Sequence, residues 1–332
     1  MKAKSYLFLT VLLLFSASKL YAQVQPVDLN LENYKYPFPV RSVTINSQKQ
    51  ELQMVYMDVK PDKPNGKVVM LLHGKNFNGA YWRQTAESLT KAGYRVIIPD
   101  QIGFGKFSKP LNYQYSFQDL AKNTREVLDG LNITKVSIVG HSMGGMLATR
   151  FTLMYPDRVE KFILVNPIGL EDYKLKVPYQ TLDAAYQKEL KQTYESLKKY
   201  QQANYYDGQW KPAYEEWLTP LAGWTLNKDY PVIAWNSALT ADMIMTQPVV
   251  YEFDKIKAPA LLIIGQRDRT AIGKDMAPEH LKATMGNYPE LGKQTQAKIA
   301  NSKLVPLAGV GHLPHIEAFE QFIKPLVDFL NE

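Results

Sequence analysis

The chain has 332 residues, 45% of them hydrophobic and 21% charged, with a formal net charge of +7 and no cysteine. That length and balance suit one large globular domain or two small ones, and the missing thiols exclude disulfides and a cysteine metal site. The lysines are scattered among acids, as in "QKELKQTYESLKKYQ", so the charge describes a solvated helix and not a nucleic-acid footprint.

The first element is a leader. Lys2 and Lys4 precede the apolar run Tyr6 to Phe15, and small residues follow as far as Ala22. This is the layout of a secretory signal peptide, with a run too short to span a bilayer. A cut near Ala22 is expected, giving an exported protein, periplasmic or secreted, with no stable membrane span. Loss of the three lysines Lys2, Lys4 and Lys19 takes the charge from +7 to +4.

Two strand-like stretches, "VRSVTI" and "ELQMVYMDV", come next, and "KPDKPNG" after them is a turn. Five short apolar runs follow: "KVVMLLH", "YRVIIPD", "KVSIVGH", "KFILVNP" and "ALLIIGQ". They are continuously apolar, as parallel strands covered on both faces are. Helical stretches lie between them, including "SFQDLAKNTREVLDGLN", for which Ser116 is the expected N-cap. The expected fold is α/β, a mostly parallel sheet with helices on both faces. The rhythm stops over residues 168–251, which hold no evident strand. There Leu182, Tyr186, Leu190, Tyr194 and Leu197 recur as on one helix face, and a further helix is expected around Trp217 and Leu221. The expected division is a core over 23–167 and 252–332, with a helical lid inserted after the sixth strand.

Gly140-His141-Ser142-Met143-Gly144 is G-x-S-x-G, placed after a strand and before the helical "MLATRFTLMYP". Such a turn lifts a serine hydroxyl out at the carboxyl end of a sheet, and flanking glycines avoid clashing with it. A hydroxyl needs a base, and the base an orienting acid. Of the five histidines, His312 sits in a loop just past the last strand and before the last helix, where it can reach the serine. His315 is its rival, and is the one better placed to pack at the helix start. Asp268, three residues past Gly265 at a strand end, is the expected acid; Glu171 and Asp172 are its substitutes. An ion pair with Arg267 or Arg269 is the structural alternative for Asp268. Asp100 is expected to hold its own loop through backbone hydrogen bonds.

With Ser142, Asp268 and His312 in that chain order and His73-Gly74 after a strand, the sequence resembles the α/β-hydrolase superfamily. The stretches "LLHGKNFNGAYW", "PDQIGFGKFSKP", "GHSMGGMLATRFTLMYPDRVEKFILVNP" and "GHLPHIEAFEQF" resemble its esterase, haloperoxidase-like and carbon–carbon hydrolase branch. The resemblance covers roughly residues 40–170 and 252–330. It implies an oxyanion hole formed by the Met143 amide and by that of Lys75, with Asn76 as the register alternative. It also implies hydrolysis of a small-molecule carboxylic ester without metal or organic cofactor. Lys75 departs from the glycine or apolar residue usual after His-Gly. Its ammonium is expected to reach solvent; were it to face the pocket, it would favour an anionic substrate. The alternatives are hydrolysis of a carbon–carbon bond in a vinylogous diketone, prolyl aminopeptidase activity (disfavoured by Met143, where such relatives carry Trp), and a ligand-binding protein without turnover.

Overall fold

A computed structural model describes residues 24–332, so the leader and cut expected over residues 1–22 fall outside the described residues. Within that range eight strands form one sheet: β1 (Val40–Ser47), β2 (Gln50–Val59), β3 (Val68–Leu72), β4 (Arg95–Pro99), β5 (Val136–His141), β6 (Val159–Val165), β7 (Ala260–Gly265) and β8 (Ser302–Leu307). Their spatial order is β1-β2-β4-β3-β5-β6-β7-β8. β2 pairs antiparallel with both β1 and β4, and every other pairing is parallel. The continuous apolar runs have the cause expected of them: all six residues of β5, and all six of β7, are buried.

Helices cover both faces. On one side α1 (Arg83–Lys91) and α11 (Phe319–Asn331) pack with Val69 and Leu71 of β3. On the other, α2 (Phe117–Gly130) and α3 (Met143–Met154) pack with Met70 and Leu72, the alternate residues of the same strand. The short α8 (Glu279–Lys282), α9 (Tyr288–Lys298) and the short α10 (Pro314–Glu317) complete the C-terminal part. Ser116 caps α2 as its sequence indicates, its hydroxyl accepting from the Asp119 N–H at 3.0 Å.

Between β6 and β7 the chain forms α4 (Leu182–Glu189), α5 (Tyr194–Tyr205), α6 (Glu215–Trp224) and α7 (Tyr230–Thr246). The single helix face read from Leu182 to Leu197 is in fact two helices. The Thr193 hydroxyl accepts from the Ser196 N–H at 3.2 Å, and the Ser196 hydroxyl accepts from the Thr193 N–H at 2.9 Å. This reciprocal cap starts α5 afresh, and a periodicity of apolar residues does not register it.

Residues 25–34 run as a strap across this insertion. The Val27 N–H donates to the Gly223 carbonyl at 3.3 Å, Asn227 Nδ2 to the Val27 carbonyl at 2.7 Å, and Trp224 Nε1 to the Asp28 carbonyl at 3.1 Å. Leu31 is fully buried against Trp224, Tyr230, Ile233 and Ala234. Burying such a side chain stabilises by about 1.5–3 kcal/mol. From the core side, Lys106 Nζ donates to the Leu31 carbonyl. The strap thus joins α6 and α7 to the loop after β4.

Candidate active site

Parallel register brings five loops to one edge of the sheet. Leu72 lies beside Gly140, His141 beside Val165, Val165 beside Ile263, and Gly265 beside Leu307. The segments that follow carry Gly74, Ser142, Asn166, Asp268 and His312, at the carboxyl ends where open α/β sheets bind ligands.

Ser142 starts α3 with φ 55° and ψ −124°, outside the common basins of an L-residue, at a cost of about 1–3 kcal/mol. The glycines on either side make this turn possible. A Cβ on Gly140 would collide with the Gly144 carbonyl, and one on Gly144 with the Leu72 carbonyl at the end of β3. The strand-to-helix turn is therefore pressed against its neighbours and leaves the serine hydroxyl as its outward group.

His312 Nε2 lies 3.0 Å from Ser142 Oγ, and His312 Nδ1 lies 2.7 Å from Asp268 Oδ2. Nδ1–H donates to the carboxylate, which leaves Nε2 free to accept the serine proton. Ser142 is 8% exposed, His312 1% and Asp268 0%. Asp268 Oδ2 also accepts from Asn166 Nδ2 at 2.8 Å, and its Oδ1 from the Thr270 N–H at 2.8 Å. The carboxylate is thus held by hydrogen bonds and not by an arginine. Arg267 pairs with Glu317, and Arg269 Nη1 donates to the backbone carbonyls of Gln266 and Asp268. The substitutes are engaged elsewhere: Glu171 accepts from the Gly286 N–H, and Asp172 from the Lys174 N–H and Tyr251 hydroxyl.

Asn166 escaped the sequence reading. It sits just past β6 at φ 38°, a conformation that asparagine tolerates better than most residues. Its Oδ1 accepts from the Gly265 N–H at 2.9 Å while its Nδ2 holds Asp268, so it fixes the end of β7 and the carboxylate together. The available signal was its place, Asn-Pro directly after a buried strand.

The loop after β3 crosses Ser142 closely: a Cβ on Gly74 would lie 3.0 Å from Ser142 Cβ. Lys75, whose amide is the second expected donor, follows directly on this loop. Met143 is the first residue of α3, so its N–H has no intrahelical acceptor. The Lys75 side chain does not run to solvent as expected. Its Nζ donates to Ser237 Oγ of α7 at 2.6 Å and lies 3.9 Å from Glu189 Oε1 at the end of α4. Asn76 Nδ2 donates to the Tyr205 hydroxyl at 3.0 Å. Asp100 holds its neighbours as expected, accepting from the Gly79 and Lys106 N–H groups at 2.7 Å each, and from the Tyr36 hydroxyl.

Three other histidines are buried close by and have separate tasks. The Tyr81 hydroxyl accepts from the Gly74 N–H at 2.9 Å and donates to His141 Nδ1 at 2.9 Å; His141 Nε2–H donates to the His312 carbonyl at 2.8 Å. His73 Nε2 accepts from the Gln101 N–H at 3.0 Å. His315, the rival base, stacks on Trp82 at 4.4 Å and its ring nitrogens make no hydrogen bond. His280, in α8, is exposed. Burial lowers His73, His141 and His315 below the ordinary 6.5, and neighbouring histidines push the latter two the same way. Below that pH the unfolded chain therefore binds more protons than the folded one, and stability must fall with pH. A melting series is expected to show a Tm nearly level above pH 7 and declining from about pH 6.5 downward. A Tm that held level to pH 5 would contradict the buried, neutral state of these rings.

Ser142 opens into a cavity of about 450 Å³ bounded by the insertion and by the loop after β7. Its apolar wall includes Ile168, Leu197, Ile244, Met245 and Ile272. Among the described residues, no cluster of three histidine, aspartate or glutamate side chains is arranged to hold a metal ion, and no helix is long and apolar enough to cross a membrane.

A mostly parallel, two-sided sheet with a serine on a strained turn at its carboxyl edge defines the class: a hydrolase of α/β architecture. The chain belongs to the alpha/beta hydrolase fold family, whose model matches residues 67–319. A 2-hydroxy-6-oxononadienedioate/2-hydroxy-6-oxononatrienedioate hydrolase of Paraburkholderia phymatum is 30% identical over 85% of this chain and 92% of the relative. A solved probable hydrolytic enzyme of Pseudomonas aeruginosa is 49% identical, with a TM-score of 0.92 over 93% of this chain and 99% of that one. An esterase of Exiguobacterium antarcticum shares the fold at 21% identity and a TM-score of 0.67, over 88% of this chain and all of that one.

Proposed function

We propose that the protein is an exported serine hydrolase that cleaves carboxylic esters through an acyl-enzyme. The observation that carries this reading is the serial contact of Ser142, His312 and Asp268. His312 takes the Ser142 proton as the hydroxyl attacks the ester carbonyl. The Met143 and Lys75 amides receive the developing oxyanion, each contributing about 3 kcal/mol to the transition state. His312 then protonates the leaving alcohol, and water repeats the sequence on the acyl group. Every step uses side chains and backbone amides alone. The insertion acts as the lid that bounds the acyl and alcohol sites.

The relatives named as dienedioate hydrolases favour a second reading, cleavage of a carbon–carbon bond in a vinylogous diketone. Lys75 does face the cavity, but the wall is balanced in charge: Lys75, Lys188 and Lys274 line it together with Glu189, Asp242 and Asp275, and Glu189 lies 3.9 Å from Lys75. Each lysine on its wall already has an acceptor: Lys75 has Ser237, Lys188 has Asp275, and Lys274 has the Met285 carbonyl. Asp242 lines the same cavity, its carboxylate making no hydrogen bond or ion pair among the described residues, and burial raises its carboxyl above the ordinary 3.8. A dicarboxylate entering here meets no net positive charge, which favours the neutral ester. A panel of p-nitrophenyl esters of graded chain length, run beside aryl dienoates and a dienedioate, is expected to give kcat/KM at least tenfold higher for the best neutral ester. Faster turnover of the dienedioate would reverse the assignment.

A further inference from the structure

The two hydrogen bonds of His312, to Asp268 and to Ser142, lie at the edge of its ring. The insertion supplies a contact to the face of the ring. Tyr205, the last residue of α5, stacks on the His312 ring with centroids 4.8 Å apart and planes 24° from parallel. Tyr205 is 4% exposed, and its own position is set from two sides. Its hydroxyl accepts from Asn76 Nδ2, on the loop that carries the Lys75 amide. Its backbone carbonyl lies so close to Gly311 that a Cβ there would collide with it. The end of α5 therefore touches both the His312 loop and the loop over Ser142. His141 is the other ring near His312, at 4.9 Å, and its burial keeps it uncharged. The face of Tyr205 is then the nearest negative π surface available when His312 becomes charged.

We propose that Tyr205 is a positioning residue for His312: its stacked ring holds one face of the imidazole, and stabilises the imidazolium formed when the Ser142 proton is taken. This rests on the ester-hydrolase reading above. A ring face under a cation is worth a rate factor of about two- to thirtyfold. Tyr205→Leu is expected to lower kcat by that factor, to leave KM within about twofold, and to slow labelling of Ser142 by a fluorophosphonate in proportion. Tyr205→Phe keeps the stack, loses only the hydroxyl's bonds to Asn76 and Tyr200, and restores most of the loss. Because leucine could also unsettle α5, the decisive series holds shape nearly constant: phenylalanine, trifluorophenylalanine and pentafluorophenylalanine at position 205. Stepwise loss of kcat and labelling rate along that series, at constant KM, supports the proposal. A flat series, or a rise in KM alone, overturns it and leaves Tyr205 a wall of the cavity. If the unaltered protein is not labelled at Ser142 at all, the serine-hydrolase reading itself falls, and Tyr205 with it.

Discussion

Ser142→Ala is expected to lower kcat on a p-nitrophenyl ester by about 10⁴- to 10⁶-fold, the largest effect of any single substitution in the chain. The change removes one oxygen and leaves the surroundings in place. Alanine meets the same backbone strain as serine at φ 55°, and the Ser142 carbonyl bonds to the Gly145 and Ile168 N–H groups do not involve the side chain. Tm should therefore stay within a few degrees, fluorophosphonate labelling should vanish, and substrate binding should survive. The residual rate reports what the oxyanion donors and the cavity contribute by themselves. An alanine variant retaining a hundredth of the activity would mean that another group attacks the carbonyl.

The second large effect is Asp268→Asn, expected to cost kcat about 10⁴-fold. The reason lies in a count of donors. Three N–H groups, from His312 Nδ1, Asn166 Nδ2 and Thr270, converge on the two oxygens of Asp268. An amide offers one oxygen and one NH₂, so at least one of those donors must face another donor. With nitrogen at the Oδ2 position, His312 can bond only by accepting at Nδ1. Its proton then moves to Nε2, where Ser142 requires an acceptor. Ser142 stays present but unactivated, so a slow fluorophosphonate reaction should persist where Ser142→Ala shows none. A loss of less than tenfold would mean that His312 takes its orientation from something other than this carboxylate.

The elements that position Ser142 could be read in the sequence because they are local. β5, the turn at Ser142 and α3 are contiguous, and a buried strand followed by glycines and a small hydroxyl announces itself within ten residues or so. His312 and Asp268 were legible by position alone, each just past a strand whose direction the parallel pattern fixes. What the sequence hid is contact between distant side chains. Tyr205 meets His312, and Asn76 meets Tyr205, through the docking of an insertion whose composition reads only as aromatic and polar. The break at Thr193 was hidden for a different reason. Spacing of apolar residues continues across it, while the cap that restarts the helix depends on hydroxyls that periodicity does not weigh. Lys75 was misread because its partners, Ser237 and Glu189, lie on two helices more than a hundred positions away.

The strap of residues 25–34 holds the helices of the insertion unequally. It clamps α6 and α7 with backbone bonds and a buried leucine, whereas α4 has no buried residue and α5 has only Gln201 and Tyr205. Opening free energy follows buried contact, so among the four helices of the insertion α4 and the front of α5 are expected to open most readily. Amide exchange within the insertion should accordingly be quickest in α4 and the front of α5. The two later helices of the insertion, with their buried residues, should exchange more slowly.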